Sequence, residues 1–258
     1  MVTVEKFAPA LRQLGLDTLE GARRFEAHLI KNHKGRRDIQ RIAAGTAGLP
    51  VALFIKRNWR PYKGDGFRQL LTRGRVRSQS RVEWDNARAL RQAGIAVAEP
   101  VACGEECSLL WEKFSFIVTA AATGEMTLHE FIHRRPEAAE RRIVFRALAR
   151  FVRRLHDAGF ASPDLFARHL FLSRQPEPAF CLIDMARLDH SRSASRRRRA
   201  RDLAALNSSI PLALVPMRER LRFLSEYGDA ATLQPRVARR TDYLLKNRKR
   251  LAFRQPAA

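Results

Sequence analysis

Cysteine is scarce in this chain, and the three that occur, Cys103, Cys107 and Cys181, make an odd number. That excludes a disulfide framework and fits a reducing compartment. Cys103-Gly-Glu-Glu-Cys107 resembles half a zinc site. No second Cys/His pair with suitable spacing accompanies it, so the thiols read as core or loop residues. Long hydrophobic runs are missing as well: none approaches the ~20 residues that cross a bilayer. The opening Met1-Val-Thr-Val-Glu-Lys lacks the apolar stretch of a secretory signal, and the expected location is the cytoplasm.

Acidic residues are few, 26 Asp+Glu against 49 Lys+Arg, which leaves a formal charge of +23. Such an excess repels itself unless a polyanion is nearby. Nucleic acid, an anionic membrane face and a phosphorylated glycolipid all qualify. Arginine dominates, which suits bidentate contacts to phosphate or carboxylate. High-GC codon usage on a solvated surface accounts for part of it. The 258 residues, 45% hydrophobic and 29% charged, have an ordinary globular balance. They suffice for one large domain or two lobes around a cleft.

Residues 5–20 carry Phe7, Leu11, Leu14, Leu16 and Leu19 at helical spacing, predicting a short N-terminal helix. Strands are expected over Phe25 to Ile30 and Ile39 to Ala44, around a turn at His33-Lys34-Gly35-Arg36-Arg37. Val51 to Lys56 is a continuous apolar run ending in lysine, a central strand. Trp59 to Arg77 is basic and turn-rich; Ser80 to Ala93 predicts a helix capped by Gly94. Ile95 to Val101 and Phe114 to Ala120 read as strands. From Leu128 the chain turns helical, with a long amphipathic helix from Arg141 to Gly159, a strand ending at Asp184, and basic helices to about residue 250. The expected fold is α+β: an antiparallel-sheet lobe over 1–121 and a mostly helical lobe over 122–258.

Five side chains then stand out. Lys56 ends a buried strand, where its ammonium can hold nucleotide phosphates, although lysine at a strand end is common. Glu83, in the next helix between Val82 and Trp84, can orient that lysine; alternatively it is a solvated helix glutamate favoured by the helix dipole. Asp164 lies in the loop after Ser162-Pro163, where a carboxylate can accept or orient an acceptor hydroxyl, or be an ordinary turn aspartate. His169 follows five positions later, where protein kinases place a magnesium-binding asparagine. Imidazole is a less natural ligand for a hard ion. It can touch the metal, polarise a phosphate oxygen, position Asp164, or be a satisfied buried histidine. Asp184 ends an apolar strand 20 residues after Asp164, where it can bridge Mg²⁺ to the phosphates. Together these point to ATP-dependent phosphoryl transfer.

The chain resembles the Kdo/WaaP lipopolysaccharide kinase family (InaA-like), bacterial relatives of the protein kinases. The matching pieces are Phe54-Ile-Lys56, Glu83-Trp84, Phe116-Ile-Val-Thr119, Leu155-His156-Asp157-Ala158-Gly159, Asp164 through His169-Leu-Phe, Leu182-Ile-Asp184-Met-Ala-Arg187 and Arg201-Asp202-Leu203. The resemblance implies a two-lobed protein-kinase-like fold, ATP, a divalent metal, and transfer to a sugar hydroxyl of the lipid A–core region. It implies that Lys56 contacts phosphates, Glu83 pairs with it, Asp164 is the catalytic aspartate and Asp184 the metal ligand. Thr119-Ala120-Ala121 would offer backbone groups to adenine. The chain departs from the family pattern at Ser162-Pro163, where His-Arg is common, and lacks a full glycine-rich phosphate loop. The excess of arginine, with the runs Arg196–Arg199 and Arg236 to Arg250, would dock an anionic saccharide acceptor and the inner face of the membrane. The alternatives are a protein kinase, a pseudokinase, or a basic nucleic-acid binder. The arginine run holds no aromatic residue and no helix-turn-helix pattern is evident, which argues against nucleic acid.

Overall fold

The computed structural model describes residues 1–59, 77–109 and 111–247. Most of the basic segment Trp59 to Arg77, and the end of the run Arg236 to Arg250, lie outside the described residues. Two compact units emerge, one from residues 1–89 and 98–121, the other from 90–97 and 122 onward.

The first unit contains β1 (Val2–Thr3), α1 (Ala8–Gln13), α2 (Leu19–Arg24), β2 (His28–Asn32), β3 (Arg37–Ile42), β4 (Leu53–Asn58), most of α3 (Gln79–Gln92), β5 (Pro100–Cys107) and β6 (Glu112–Ala120). Its strands form one antiparallel sheet in the order β1-β5-β6-β4-β3-β2. Alternation along the strands separates two faces. Leu53, Ile55, Phe116 and Val118 pack with Phe7, Leu11 and Leu16 from the N-terminal segment. Cys103 and Ile117 pack with Trp84 of α3.

Three expectations change here. The helix over 5–20 is broken, because Gly15 adopts φ +68° and Thr18 caps a second helix by accepting from the Gly21 amide. The strand expected at Ile95 to Val101 instead runs over β5, through Gly104, where a Cβ would meet the Phe116 ring and Leu19. The first strand begins at His28 rather than Phe25, since Phe25 ends α2 and gives its carbonyl to Arg57 at 2.6 Å.

The second unit holds β7 (Met126–Thr127), α4 (Leu128–His133), α5 (Ala138–Asp157), β8 (Phe160–Ala161), β9 (Leu170–Ser173), β10 (Ala179–Leu182), β11 (Asp189–His190), α6 (Arg196–Ser208), α7 (Met217–Tyr227) and α8 (Ala230–Lys246). Helix α5 buries Phe145, Leu148, Phe151, Val152 and Leu155 on one face. Phe145 meets Phe223 of α7 edge-on at 6.4 Å, and Phe151 meets Phe180 of β10 at 5.9 Å. Gly159 ends this helix at φ +87°; a Cβ there would collide with the Ser191 carbonyl. That requirement fixes how the chain leaves α5 for the loop that carries Asp164.

Arginine builds much of the framework. Arg57, its side chain 5% exposed, donates to Asp38 at 2.9 Å and to the carbonyls of Ala22, Arg23 and Phe25 at the end of α2. Arg220 likewise donates to the carbonyls of Asn207, Ile210, Pro211 and Val215. Breaking a buried ion pair from one side leaves an uncompensated charge, which costs about 3–5 kcal/mol. Arg57→Ala is therefore expected to destabilise the first unit by that order, read as an earlier urea midpoint by tryptophan fluorescence. An unchanged midpoint would show that Asp38 does not depend on Arg57.

Candidate active site

The first cluster lies on one face of the six-stranded sheet. Opposed residues of neighbouring strands share a face, and the register opposes Lys56 to Ile39 and Ile117, and Ile39 to Lys31. Lys31, Ile39, Lys56 and Ile117 therefore form one row on the side where α3 packs. Strand β4 continues two residues past Lys56, to Asn58, so the lysine sits within the strand rather than at its end. Its Nζ donates to Glu83 Oε1 at 2.7 Å, with the two side chains 12% and 3% exposed. The packed reading of Glu83 holds: Trp84 anchors this turn of α3 in the core, and Glu83 turns inward. An ammonium held this way keeps its remaining donors for another anion. Lys31, which sequence reasoning missed, adds a second cation to the row; only strand register reveals it.

The second cluster surrounds the segment between α5 and β11. The Ser162 amide donates to Asp202 Oδ2 at 2.6 Å. His156 Nε2 donates to the same carboxylate at 3.3 Å, and Tyr227 donates to His156 Nδ1 at 2.8 Å. Arg201 Nε donates to Asp202 Oδ1 at 2.8 Å. Asp202 and His156 have no exposed surface. The donor anchored in this loop is Ser162, so Pro163, which has no N–H, occupies a position where none is required. The departure at Ser162-Pro163 is thus compatible with an ordered loop.

Asp164 follows, its side chain 13% exposed and its Oδ1 receiving Arg187 Nη1 at 3.0 Å. Burial pushes the Asp164 carboxyl above the usual range, Arg187 opposes that shift, and the neighbouring Asp184 charge adds to it. His169 Nδ1 donates to the Asp164 carbonyl at 2.8 Å, and its Nε2 accepts from Arg168 Nε at 3.1 Å. Burial holds the imidazole below its ordinary pKa, in the neutral form. Both ring nitrogens are engaged, and through Nδ1 His169 fastens the loop. The Ile183 amide donates to the His169 carbonyl at 3.0 Å, carrying Asp184 alongside, with Asp184 Oδ2 4.0 Å from His169 Nε2. Asp184 has φ +62°, unfavourable for a non-glycine residue and a kind of strain that collects at functional sites. Carboxylate oxygens suit a hard divalent ion that keeps phosphate and water ligands, so Asp184 fits Mg²⁺. Among the described residues no group of three or more His, Cys, Asp or Glu could hold a metal alone.

The Ala120 amide donates to Glu99 and the Ala121 amide to Ala52, both at 2.8 Å. Those two donors are engaged within the first unit, which narrows what Thr119-Ala120-Ala121 can offer a purine to carbonyl groups and side chain. One other motif is settled by geometry. His129-Glu130-Phe131-Ile132-His133 matches the H-E-x-x-H pattern of zinc peptidases. Here Glu130 forms a capping box with Thr127, and His133 Nδ1 bonds the His129 carbonyl at 2.8 Å, so neither is set for zinc hydrolysis.

Residues 22–227 match the family model described as the lipopolysaccharide kinase (Kdo/WaaP) family. The chain is 30% identical over 222 residues to the lipopolysaccharide core heptose(I) kinase WaaP of Pseudomonas aeruginosa, covering 83% of this chain and 81% of that one. It is 27% identical over 154 residues to WaaP of Escherichia coli, covering 56% of this chain and 58% of that one. Among solved structures it is similar to WaaP in complex with acyl carrier protein, with a TM-score of 0.69, 26% identity, and 94% and 98% of the two chains covered. The α+β class expected from sequence and the kinase-like fold are thus both present.

Because Asp202 secures the Ser162 amide two residues before Asp164, Asp202→Asn is expected to lower kcat by about 10²-fold through misplacement of the loop. Steady-state kinetics would check it, and a kcat within twofold of the parent would show that Asp202 is not needed to place Asp164.

Proposed function

The chain belongs to the lipopolysaccharide kinase (Kdo/WaaP) family, and we propose that its acceptor is a sugar hydroxyl of the lipopolysaccharide inner core, a heptose or Kdo residue. It is a phosphotransferase acting on an alcohol acceptor, and as a kinase it uses ATP. The observation that carries the acceptor reading is an Asp164 and Asp184 pair on the fold of a heptose kinase, with no activation-loop Phe-Gly after Asp184.

In this reading Lys56, oriented by Glu83, neutralises nucleotide phosphate oxygens. Asp164 receives the proton of the acceptor hydroxyl as its oxygen bonds to the γ-phosphorus. The bond from that phosphorus to the β,γ-bridging oxygen breaks, and the electron pair leaves with ADP. Burial makes Asp164 a better base than a solvated aspartate, while the Arg187 guanidinium opposes that shift. Asp184 would hold Mg²⁺, which supplies charge neutralisation at the phosphates. The Thr119 to Ala121 segment would meet adenine through carbonyls.

Two partner readings accompany this. Arg196 and Arg197 are exposed and suit an anionic membrane face. Arg198 and Arg199 are instead committed to Ser191, Asp157 and Tyr227, so the expected arginine dock is smaller than its sequence. The second unit also encloses a cavity of about 410 Å³, lined by Phe145, Leu148, Leu203, Leu206, Phe223 and Val237 among others. A structurally similar WaaP was solved with acyl carrier protein. A cavity with a largely apolar lining suits an acyl chain, which supports acyl carrier protein as a partner here.

Purified protein, ATP and Mg²⁺ are expected to add one phosphate to core oligosaccharide, seen by mass spectrometry. Asp164→Ala should abolish this while nucleotide binding persists; turnover like the parent's in that variant would remove Asp164 from the chemistry. For the carrier, calorimetry is expected to show tighter binding of acylated than of unacylated carrier protein, with Leu148→Arg abolishing the difference. Equal affinities would detach the cavity from the partner.

A further inference from the structure

Two exposed arginines stand near Asp164: Arg187 bonds its carboxylate, and Arg168 bonds the His169 ring that donates to its carbonyl. Arg187 spends one N–H on Asp164 Oδ1 at 3.0 Å, yet its side chain stays 63% exposed. The arginines that build the framework behave differently: Arg57 and Arg220 are buried, with several donors spent on the chain itself. Arg168, also exposed, spends Nε on His169 at 3.1 Å, and its guanidinium carbon lies 4.6 Å from the Phe166 ring centroid. Both charges act on the Asp164 carboxylate. Each guanidinium is thus oriented by one contact while its other donors meet no acceptor among the described residues. A planar fork oriented in this way is suited to a carboxylate or a phosphate.

The position of the pair defines what it can bind. Asp164 is the group that takes the acceptor proton in the reading above, on which this inference rests. An anion held by Arg187 and Arg168 would be carried by the same molecule as the reacting hydroxyl, one group away from it. We propose that Arg168 and Arg187 form an anion clamp that recognises a carboxylate or phosphate on the acceptor saccharide beside the hydroxyl to be phosphorylated, and so select anionic over neutral acceptors. The other local charge is Asp184, which repels such an anion, and both nitrogens of His169 are engaged by the Asp164 carbonyl and Arg168. The two arginines are therefore the cations of this unit that oppose the Asp164 and Asp184 charges at that point.

The test uses the full chain and three probes: core oligosaccharide, the same oligosaccharide with its carboxylates reduced to alcohols, and the same with its phosphates removed. With the parent enzyme, one neutralised probe should show an acceptor KM raised about tenfold or more, which names the anion recognised. Arg187→Gln and Arg168→Gln should raise the KM for the native probe by a similar factor, leave the ATP KM within about twofold, and no longer distinguish native from neutralised probe. Arg187→Lys, which keeps the charge but not the fork, should fall between. A raised ATP KM would assign the pair to the nucleotide and overturn the clamp. An equal loss on all three probes would make Arg187 a support for Asp164 alone and overturn it too. If the parent enzyme phosphorylates none of the probes, the acceptor reading fails first. Calorimetric binding of native against neutralised probe then decides the clamp, and equal affinities would reject it.

Discussion

Asp202 has no exposed surface, and donors from three directions reach its carboxyl oxygens. One is a backbone amide from the loop before Asp164, one an imidazole from the end of α5, and one a guanidinium from its own helix. A buried charge that must be satisfied from several elements leaves those elements little freedom to move apart. The cost of losing any one donor is the desolvation of a charge, which is larger than the net worth of an ordinary hydrogen bond. The Asp164 loop therefore inherits its geometry from a group that never needs to touch a substrate. Tyr227 extends the same constraint into α7 through His156, and Arg199 reaches the Tyr227 oxygen at 3.2 Å.

The groups proposed to carry the chemistry are held by the complementary logic. Lys56 and Glu83 are nearly buried and paired with each other. Asp164 is desolvated against an arginine that remains in water, and Asp184 is held at a backbone angle that a side chain disfavours. Each is therefore less comfortable than its solvated counterpart would be, and the surrounding hydrogen bonds of His169, Ile183 and Ser162 sustain that condition. Preorganisation of this kind is what phosphoryl transfer asks of a protein, because charge placement rather than covalent chemistry carries the rate.

Much of this was legible in the residues. Lys56 in an apolar run, Glu83 beside a tryptophan, and the aspartates at 164 and 184 are local signals, and periodicity located their strands and helices. What escaped was non-local. Strand β5 runs from apolar residues through a glycine into Glu105 and Glu106, so alternation ended it too early; the glycine is there because Phe116 and Leu19 fill its side-chain space. The single helix expected over residues 5–20 is two, because leucines keep helical spacing across Gly15, where a left-handed residue ends the first. Lys31 joins the Lys56 row only through register, and Asp202 acquires its role only once Ser162 and His156 surround it. His169 invited a metal role because protein kinases place a magnesium-binding asparagine at that offset. Its two nitrogens are spoken for by a carbonyl and a guanidinium, and no pattern in the chain announces such engagement.

The charge of the chain shows the same limit from another side. A formal +23 suggests a surface built to meet polyanions, but arginine here is also a structural material. Arg57 and Arg220 gather backbone carbonyls near helix ends, Arg141 pairs bidentately with Glu219, and Arg199 and Arg201 tie α6 to Asp157 and Asp189. Five donors on one rigid plane can satisfy several carbonyls at once, which a lysine cannot do. Net charge therefore overstates the surface available for ligands. The informative cations are the ones the framework leaves incompletely used, and in the second unit Arg168 and Arg187 meet that description near Asp164. Recognition of an anionic acceptor then depends less on how basic the chain is than on where it leaves a guanidinium only partly engaged.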